Sequence, residues 1–149
     1  MGNCCVNHET LVLNSLTKKD ITDVTYDFTR AKVIDVYDGD TITIAALYDG
    51  LYRRFTVRLY GVDCAEIRGG TNESKQQAQN AKRFVENAIL NKVVEVNVLN
   101  NKIYQGKKIH EKYGRLLAII STPDGRDLAG MLLAAGLAME YYGDKKPTH

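Results

Sequence analysis

Five side chains of complementary chemistry lie at three separate places in the chain: Asp40, Arg58, Asp63, Glu66 and Arg115. The three carboxylates can hold a hard cation and activate water, because hard cations take oxygen ligands and a carboxylate can act as a general base. The two guanidiniums can hold a phosphate, because each presents a fixed fork of N–H donors with a permanent charge. Their joint presence in one small domain predicts an enzyme that cleaves phosphodiester bonds.

Each of these residues alone also has a purely structural explanation. Asp38-Gly39-Asp40 is ordinary turn chemistry. Glu66 alone is an unremarkable loop residue, and Arg58 suits a surface ion pair that contributes little to stability. The combination therefore carries the prediction, and no single motif does.

Strict alternation along a strand would place Arg58 and Asp63 on opposite faces, because side chains alternate with a period of two. Both can face one pocket only if the strand bends or ends near Gly61. We therefore predict an interruption there, and regular pairing of one strand through Asp63 would contradict it.

A basic segment runs from residue 102 to residue 115. Its cations are Lys102, Lys107, Lys108, Lys112 and Arg115, against the single acid Glu111. Tyr104 and Tyr113 are interleaved with them, which is typical of a surface for a polyanion with stackable bases. A merely solvated loop remains the alternative for Lys107 and Lys108.

Composition limits the class of protein. The chain has 149 residues with 44% hydrophobic and 26% charged residues, which indicates one folded domain and a tail. The net charge of +2 is too small to predict nucleic-acid binding by itself. We see no membrane-spanning segment and no secretory signal. Three cysteines without Cys-x-x-Cys spacing predict neither disulfides nor a zinc site, which favours a cytoplasmic protein that is not secreted.

Residues 1–29 are interpreted as a flexible tail whose only apolar patch to bury is Leu11-Val12-Leu13. Gly2 is a candidate for myristoylation, and Cys4 and Cys5 are candidates for palmitoylation. A single myristoyl chain anchors weakly, so a palmitate would have to supply the second signal for peripheral membrane attachment. Val6 stands where Ser or Thr is usual, and an unmodified disordered terminus remains the alternative.

The domain from residue 30 to residue 149 is predicted to be β-rich α+β. Strands are expected at 32–37, 41–45, 53–60, 93–99 and 115–121, the first three as an antiparallel meander. Ser74 with Gln77 predicts a capping box for a first helix, and Asp127 predicts the cap of a second, with Gly136 at its C′ position. This order favours a five-stranded OB-fold barrel with two packed helices.

From about Ala31 to Pro147 the chain resembles the staphylococcal nuclease (thermonuclease) family. The matching segments are Val36-Tyr37-Asp38-Gly39-Asp40-Thr41, Val57 to Glu66, Lys112-Tyr113-Gly114-Arg115 and Ala135-Gly136-Leu137-Ala138. The resemblance implies an OB barrel with a Ca²⁺-dependent phosphodiesterase site that cleaves DNA and RNA to 3′-phosphates. The substrates expected are single-stranded or loosened duplex nucleic acids, and no protein partner is implied.

The resemblance also implies a role for each matched residue. Asp40 and Asp63 would bind calcium through their carboxylates, and Cys64 would bind it through its backbone carbonyl. Glu66 would activate the attacking water, while Arg58 and Arg115 would stabilise the charged transition state. The nucleotide-binding positions would be Lys112, Tyr113, and Tyr141 or Tyr142.

The chain departs from the family pattern in two places. Cys64-Ala65 stands where Thr-Pro is common, and losing proline frees the backbone that must aim Glu66. The chain also stops at His149, before the third helix that is familiar near the C-terminus of the family. Two other readings remain open: a non-catalytic nucleic-acid-binding module on the same fold, and a general OB-type binder of single strands.

Overall fold

The structure, a computed structural model, describes residues 7–143. The candidate acylation sites Gly2, Cys4 and Cys5 lie outside this range, and so do residues 144–149 at the end of the predicted domain. The helices and strands of the described range are α1 (His8–Ser15), β1 (Arg30–Asp38), β2 (Thr41–Tyr48), β3 (Leu51–Leu59), β4 (Gly61–Cys64), α2 (Asn72–Ile89), β5 (Val93–Val98), β6 (Ile103–Tyr104), β7 (Lys107–Lys108), β8 (Leu116–Ser121), α3 (Leu128–Ala134) and β9 (Ala138–Tyr141).

Five of the strands close into a barrel in the order β1-β2-β3-β8-β5. The predicted meander is confirmed, since β1 pairs with β2 and β2 with β3 in antiparallel register. The barrel closes through antiparallel pairs of β5 with β1 and β8, and through a parallel pair of β3 with β8. The prediction of a β-rich α+β fold with a five-stranded OB-type barrel is therefore confirmed.

The barrel core consists of β-branched and aliphatic side chains that alternate with exposed residues. On β5, Val94, Val96 and Val98 are buried while their neighbours are exposed, as a half-buried strand requires. Helix α2 buries one face against this core through Ala78, Ala81, Val85 and Ile89. Helices α2 and α3 both contribute buried residues to the core, which matches the two packed helices predicted.

The predicted start of the first long helix is wrong by three residues. Helix α2 begins at Asn72, and its N-cap is Thr71, whose hydroxyl oxygen accepts a hydrogen bond from the Ser74 N–H at 3.2 Å. Ser74 therefore lies in the first turn and does not cap the helix, because Thr71 supplies the same chemistry earlier. The end of α3 was predicted correctly: Gly136 follows the C-cap with a φ of +70°, which glycine adopts without strain.

Four short strands were not predicted from the sequence. Strands β4 and β9 pair with each other in a separate antiparallel sheet, and β6 and β7 form a small hairpin within the basic segment. Each has two to four residues, which is too short to show a periodic pattern. None of the helices in the described part of the chain is long and apolar enough to cross a membrane.

The tail packs at a different place from the one predicted. Helix α1 buries none of its residues, and Leu11, Val12 and Leu13 are exposed. Tyr26 and Phe28 instead pack against the barrel core. Both rings contact Phe55 of β3, with centroids 5.6 and 5.4 Å from it. The prediction that Leu11–Leu13 is the tail's only apolar patch is therefore wrong, because two aromatic rings next to β1 bury more area than a short aliphatic run.

Phe28→Ala is expected to lower the free energy of unfolding by about 1–3 kcal/mol, less than for a fully buried phenylalanine because Phe28 is only half-buried. Urea denaturation followed by circular dichroism measures this loss. The matched control Leu13→Ala removes an exposed side chain and should change stability by less than about 0.5 kcal/mol. Equal effects of the two substitutions would contradict the packing described.

Candidate active site

Arg58 lies at the centre of the carboxylate cluster. Its Nη2 donates to Asp63 Oδ1 at 2.9 Å, and its Nη1 lies 3.4 Å from Asp40 Oδ2. All three side chains are buried. Two acids separated by 23 positions in the chain are thus held against one guanidinium, whose planar fork can contact both.

The chain reaches this geometry by ending one strand and starting another. Strand β3 stops at Leu59, Tyr60 lies between the strands, and β4 begins at Gly61 with a φ of +88°. Asp63 then pairs with Met139 of β9 instead of continuing the barrel sheet. The predicted interruption near Gly61 is confirmed. Arg58 fixes the corner, because its Nη1 donates to the carbonyl oxygens of Leu59 and Val62 on either side of it.

Asp40 ties the turn after β1 to the end of β4. Its Oδ2 accepts a hydrogen bond from the backbone N–H of Cys64 at 2.7 Å, and its Oδ1 accepts one from the Thr41 hydroxyl at 3.0 Å. Gly39 permits this approach: a Cβ at that position would lie 2.7 Å from Ala81 Cβ and 3.0 Å from Cys64 Sγ. Glycine is needed here for close packing and not for an unusual φ.

Asp38 is a further acid of this cluster whose contribution the sequence did not reveal. Its Oδ1 accepts a hydrogen bond from the Ile67 N–H at 3.2 Å. Burial raises the pKa of Asp38; the Ile67 N–H opposes the shift, and the charges of Asp40 and Glu66 add to it. The loop that carries Glu66 is therefore tied down on both sides, at Cys64 by Asp40 and at Ile67 by Asp38.

Cys64 and Ala65, which replace the usual Thr-Pro, are both buried. Burial raises the pKa of the Cys64 thiol far above its ordinary value, with the charge of Asp40 adding to the shift, so the side chain stays a neutral packing group. The backbone hydrogen bond from Cys64 to Asp40 supplies part of the restraint that a proline would have given. Glu66 itself is exposed, at the position where water has access.

Arg115 is held by Glu111, which the sequence analysis noted only as the single acid of the basic segment. Glu111 Oε1 accepts from Arg115 Nε at 3.0 Å and lies 2.9 Å from its Nη2. Glu111 Oε2 accepts from the backbone N–H groups of Tyr113 and Arg115 at 2.7 and 2.9 Å. Only 5% of the Glu111 side chain is exposed. One carboxylate thus orders both the loop and the guanidinium, which also lies 5.4 Å from the centroid of the Tyr113 ring.

Glu111→Gln is expected to lower the free energy of unfolding by about 1–3 kcal/mol. The hydrogen bonds to a charged acceptor are lost, and the NH₂ group of the glutamine faces N–H donors with which it cannot form a hydrogen bond. If Arg115 contacts the substrate, kcat/KM should fall as well. Thermal denaturation and steady-state kinetics measure the two effects. The control Glu95→Gln alters an exposed carboxylate of β5 and should leave both quantities unchanged. A Glu111 variant with the stability of the control would contradict the buried role.

A groove of about 590 Å³ adjoins the carboxylate cluster. Its lining includes every residue to which the resemblance gives a role in binding phosphate or nucleotide: Arg58, Lys112, Tyr113, Arg115, Tyr141 and Tyr142. Tyr141 lies beside Arg58, with its ring centroid 5.9 Å from Cζ. Arg58 and Arg115 line the same groove because β3 and β8 pair in parallel, with Arg58 opposite Leu117, two residues after Arg115. Arg58 thus contacts the carboxylates and also lines the groove.

The tail contacts two cations of the basic segment, which the sequence gave no means to predict. Asp23 Oδ2 pairs with Lys108 Nζ, and the Tyr26 carbonyl accepts from Lys102 Nζ at 2.9 Å. The pairing with Lys108 lowers the pKa of Asp23. Lys107 and Lys112 are exposed on the same segment, and both line the groove.

The donor set of the cluster fits a hard cation. Asp40 and Asp63 offer carboxylate oxygens within the span of a single guanidinium, and the Cys64 carbonyl is adjacent in the chain. Within residues 7–143, no three His, Cys, Asp or Glu side chains are arranged to hold a metal by themselves. A cation here would take its other ligands from carbonyl and water oxygens, as Ca²⁺ does with its six to eight ligands.

Comparison with known protein families identifies the chain. The model of the staphylococcal nuclease homologue family matches residues 56–149, a range that includes Arg58, Asp63, Glu66 and Arg115. The chain belongs to the staphylococcal nuclease homologue family. The match begins after β2, so Asp40 lies outside it and joins the site through its contacts with Arg58 and Cys64. No curated protein matches the chain closely enough to serve as a relative.

Proposed function

We propose that this member of the staphylococcal nuclease homologue family is a Ca²⁺-dependent nuclease that hydrolyses DNA and RNA to 3′-phosphate products. One observation supports this most strongly: Arg58 contacts two buried acids and lines the groove that holds the second arginine. A protein that only binds nucleic acid needs cations and aromatic rings. It does not need two carboxylates buried against Arg58, the arginine that lines the groove.

The chain's own residues divide the reaction between them. Glu66 takes a proton from the attacking water, whose oxygen forms a bond to phosphorus while the bond to the 5′-oxygen breaks. The 5′-oxygen takes up a proton from the solvent, and Glu66 later releases its proton to the solvent. Arg58 and Arg115 balance the charge that grows on the phosphoryl oxygens. Calcium held by Asp40, Asp63 and the Cys64 carbonyl would supply positive charge to the phosphate and lower the pKa of a bound water.

The experiment that tests this function is cleavage of denatured DNA, duplex DNA and RNA by the purified full chain. We expect cleavage with added Ca²⁺, none with EDTA, and recovery when Ca²⁺ is restored in excess. End-group analysis with a phosphatase and a kinase should find phosphate on the 3′ ends. A protein that binds these substrates but cleaves none of them under any metal condition would be the non-catalytic binding module.

A further inference from the structure

Three tyrosines from separate segments meet in the groove next to Arg58. Tyr60 lies between β3 and β4, Tyr104 lies in β6, and Tyr142 follows β9. The ring of Tyr60 makes edge contacts with both others, with centroids 5.5 Å apart in each pair. We call Tyr60, Tyr104 and Tyr142 the tyrosine cluster. Of these three tyrosines, the resemblance to the family concerns only Tyr142, as one of the two candidates Tyr141 and Tyr142 for a nucleotide-binding position.

The tyrosine cluster differs from the aromatic residues that pack the fold. Tyr26, Phe28 and Phe55 pack against the barrel core. In contrast, all three rings of the tyrosine cluster line the groove, and the Tyr142 side chain is more than half exposed. The chain also makes room for this arrangement, because a Cβ on Gly61 would lie 3.3 Å from the Tyr142 ring. Aromatic faces kept at the wall of a groove are available to a ligand, whereas core rings are not.

The charges around the tyrosine cluster suit a polyanion. Lys107 and Lys112 are exposed and line the same groove. Tyr60 follows Arg58 by two residues, so it lies about 7 Å further along the chain from the arginine, at about 3.3 Å per residue. Burial raises the pKa of Tyr60, and the neighbouring phenols add to the shift, so the ring stays neutral beside phosphates.

We propose that Tyr60, Tyr104 and Tyr142 form a base-stacking subsite for a nucleotide next to the phosphate that Arg58 and Arg115 hold. The ligand is a single-stranded or locally unpaired nucleic acid, because a base must leave its stack to reach the rings. The subsite accepts any base, since every base has a π face. This inference rests on the proposed function only for the position of the phosphate.

The test compares two fluorescein-labelled probes, tetrathymidylate and a fully abasic tetranucleotide with the same phosphates. Binding of each to the full chain is measured by anisotropy in EDTA, so that no cleavage occurs, and at one salt concentration, because phosphate contacts depend on salt. Tyr60→Leu and Tyr104→Leu should each weaken binding of tetrathymidylate about 5- to 150-fold. Binding of the abasic probe should change less than about twofold, since its phosphates meet the same cations.

Matched variants separate stacking from folding. Tyr60→Phe and Tyr104→Phe keep the rings and should bind tetrathymidylate like the unmodified chain. Tyr52→Leu removes an exposed tyrosine on β3 that lies outside the lining of the groove, and it should change neither probe. Tyr60→Leu can also lower the melting temperature. In that case the ratio of the affinities for tetrathymidylate and for the abasic probe, both measured on the folded fraction, still shows whether stacking is lost.

The outcomes separate the base-stacking subsite from the proposed nuclease activity. Equal losses for both probes, or no loss for tetrathymidylate, would overturn the subsite even if the chain cleaves DNA with Ca²⁺. A selective loss for tetrathymidylate without any cleavage would uphold the subsite and overturn the nuclease. A chain that binds neither probe and cleaves nothing would overturn both.

Discussion

Glu66→Gln is expected to lower kcat for DNA hydrolysis by about 10²–10⁴-fold, which is the usual contribution of a general base. Glutamine keeps the size of the side chain but cannot accept the proton of the attacking water. Because Glu66 is exposed, on a loop tied down by Asp38 and Asp40 through its neighbours, the fold should not change. Substrate affinity, set mainly by the arginines and the groove, should stay within about threefold.

Steady-state cleavage of denatured DNA at saturating Ca²⁺ measures this effect, and thermal denaturation of the same protein checks the fold. Glu73→Gln is the matched control, since Glu73 is an exposed glutamate in the first turn of α2. Hydrolysis at the unmodified rate would remove Glu66 from the mechanism.

Arg58→Ala is expected to damage both stability and catalysis. Removing the guanidinium leaves Asp40 and Asp63 buried beside each other without their shared cation, which should cost about 3–5 kcal/mol of unfolding free energy. Under the proposed mechanism, the same change also removes a donor to the charge that develops at phosphorus, and kcat should fall by about 10²–10³-fold. It also frees the carbonyl groups of Leu59 and Val62 that fix the corner before β4.

Arg58→Lys separates the two effects of Arg58→Ala. Lysine restores a positive charge between the acids, so most of the stability should return, but it lacks the fork that contacts Asp40 and Asp63 together and that the proposed mechanism also directs at the phosphate. Its kcat should therefore remain low. Arg54→Ala, an exposed arginine on the same strand, is the control and should change neither quantity. An Arg58→Ala protein as stable as this control would contradict the buried cluster described above.

The local features of the fold could be predicted from the sequence because each depends on residues close together in the chain. The apolar face of α2 repeats at helical spacing, and the alternation on β5 repeats at strand spacing. Gly136 was predictable because one backbone position after a helix favours glycine. The break near Gly61 followed from requiring Arg58 and Asp63 to face one pocket.

The features that could not be predicted depend on contacts between distant segments. Thr71 and Ser74 are both good cap residues, and only the path of the loop before α2 selects Thr71. In the sequence, Glu111 looks like any acid in a basic loop. Its role is visible only in the structure, where the loop N–H groups and Arg115 donate to its carboxylate. The contacts of Asp23 and Tyr26 with the basic segment join positions more than 70 residues apart.

The sequence by itself limited the chemistry available to this protein: carboxylates that can bind a hard cation or act as a general base, two guanidiniums that can bind a phosphate, and a set of tyrosines. The tertiary structure decided which of these residues share a site. The parallel pairing of β3 with β8 brings Arg58 and Arg115 to one groove, and the turn at Gly61 brings Asp63 back to Arg58. The physical reason is that a side chain's type limits what it can do, while its partners depend on barrel closure, which pairs residues far apart in the chain.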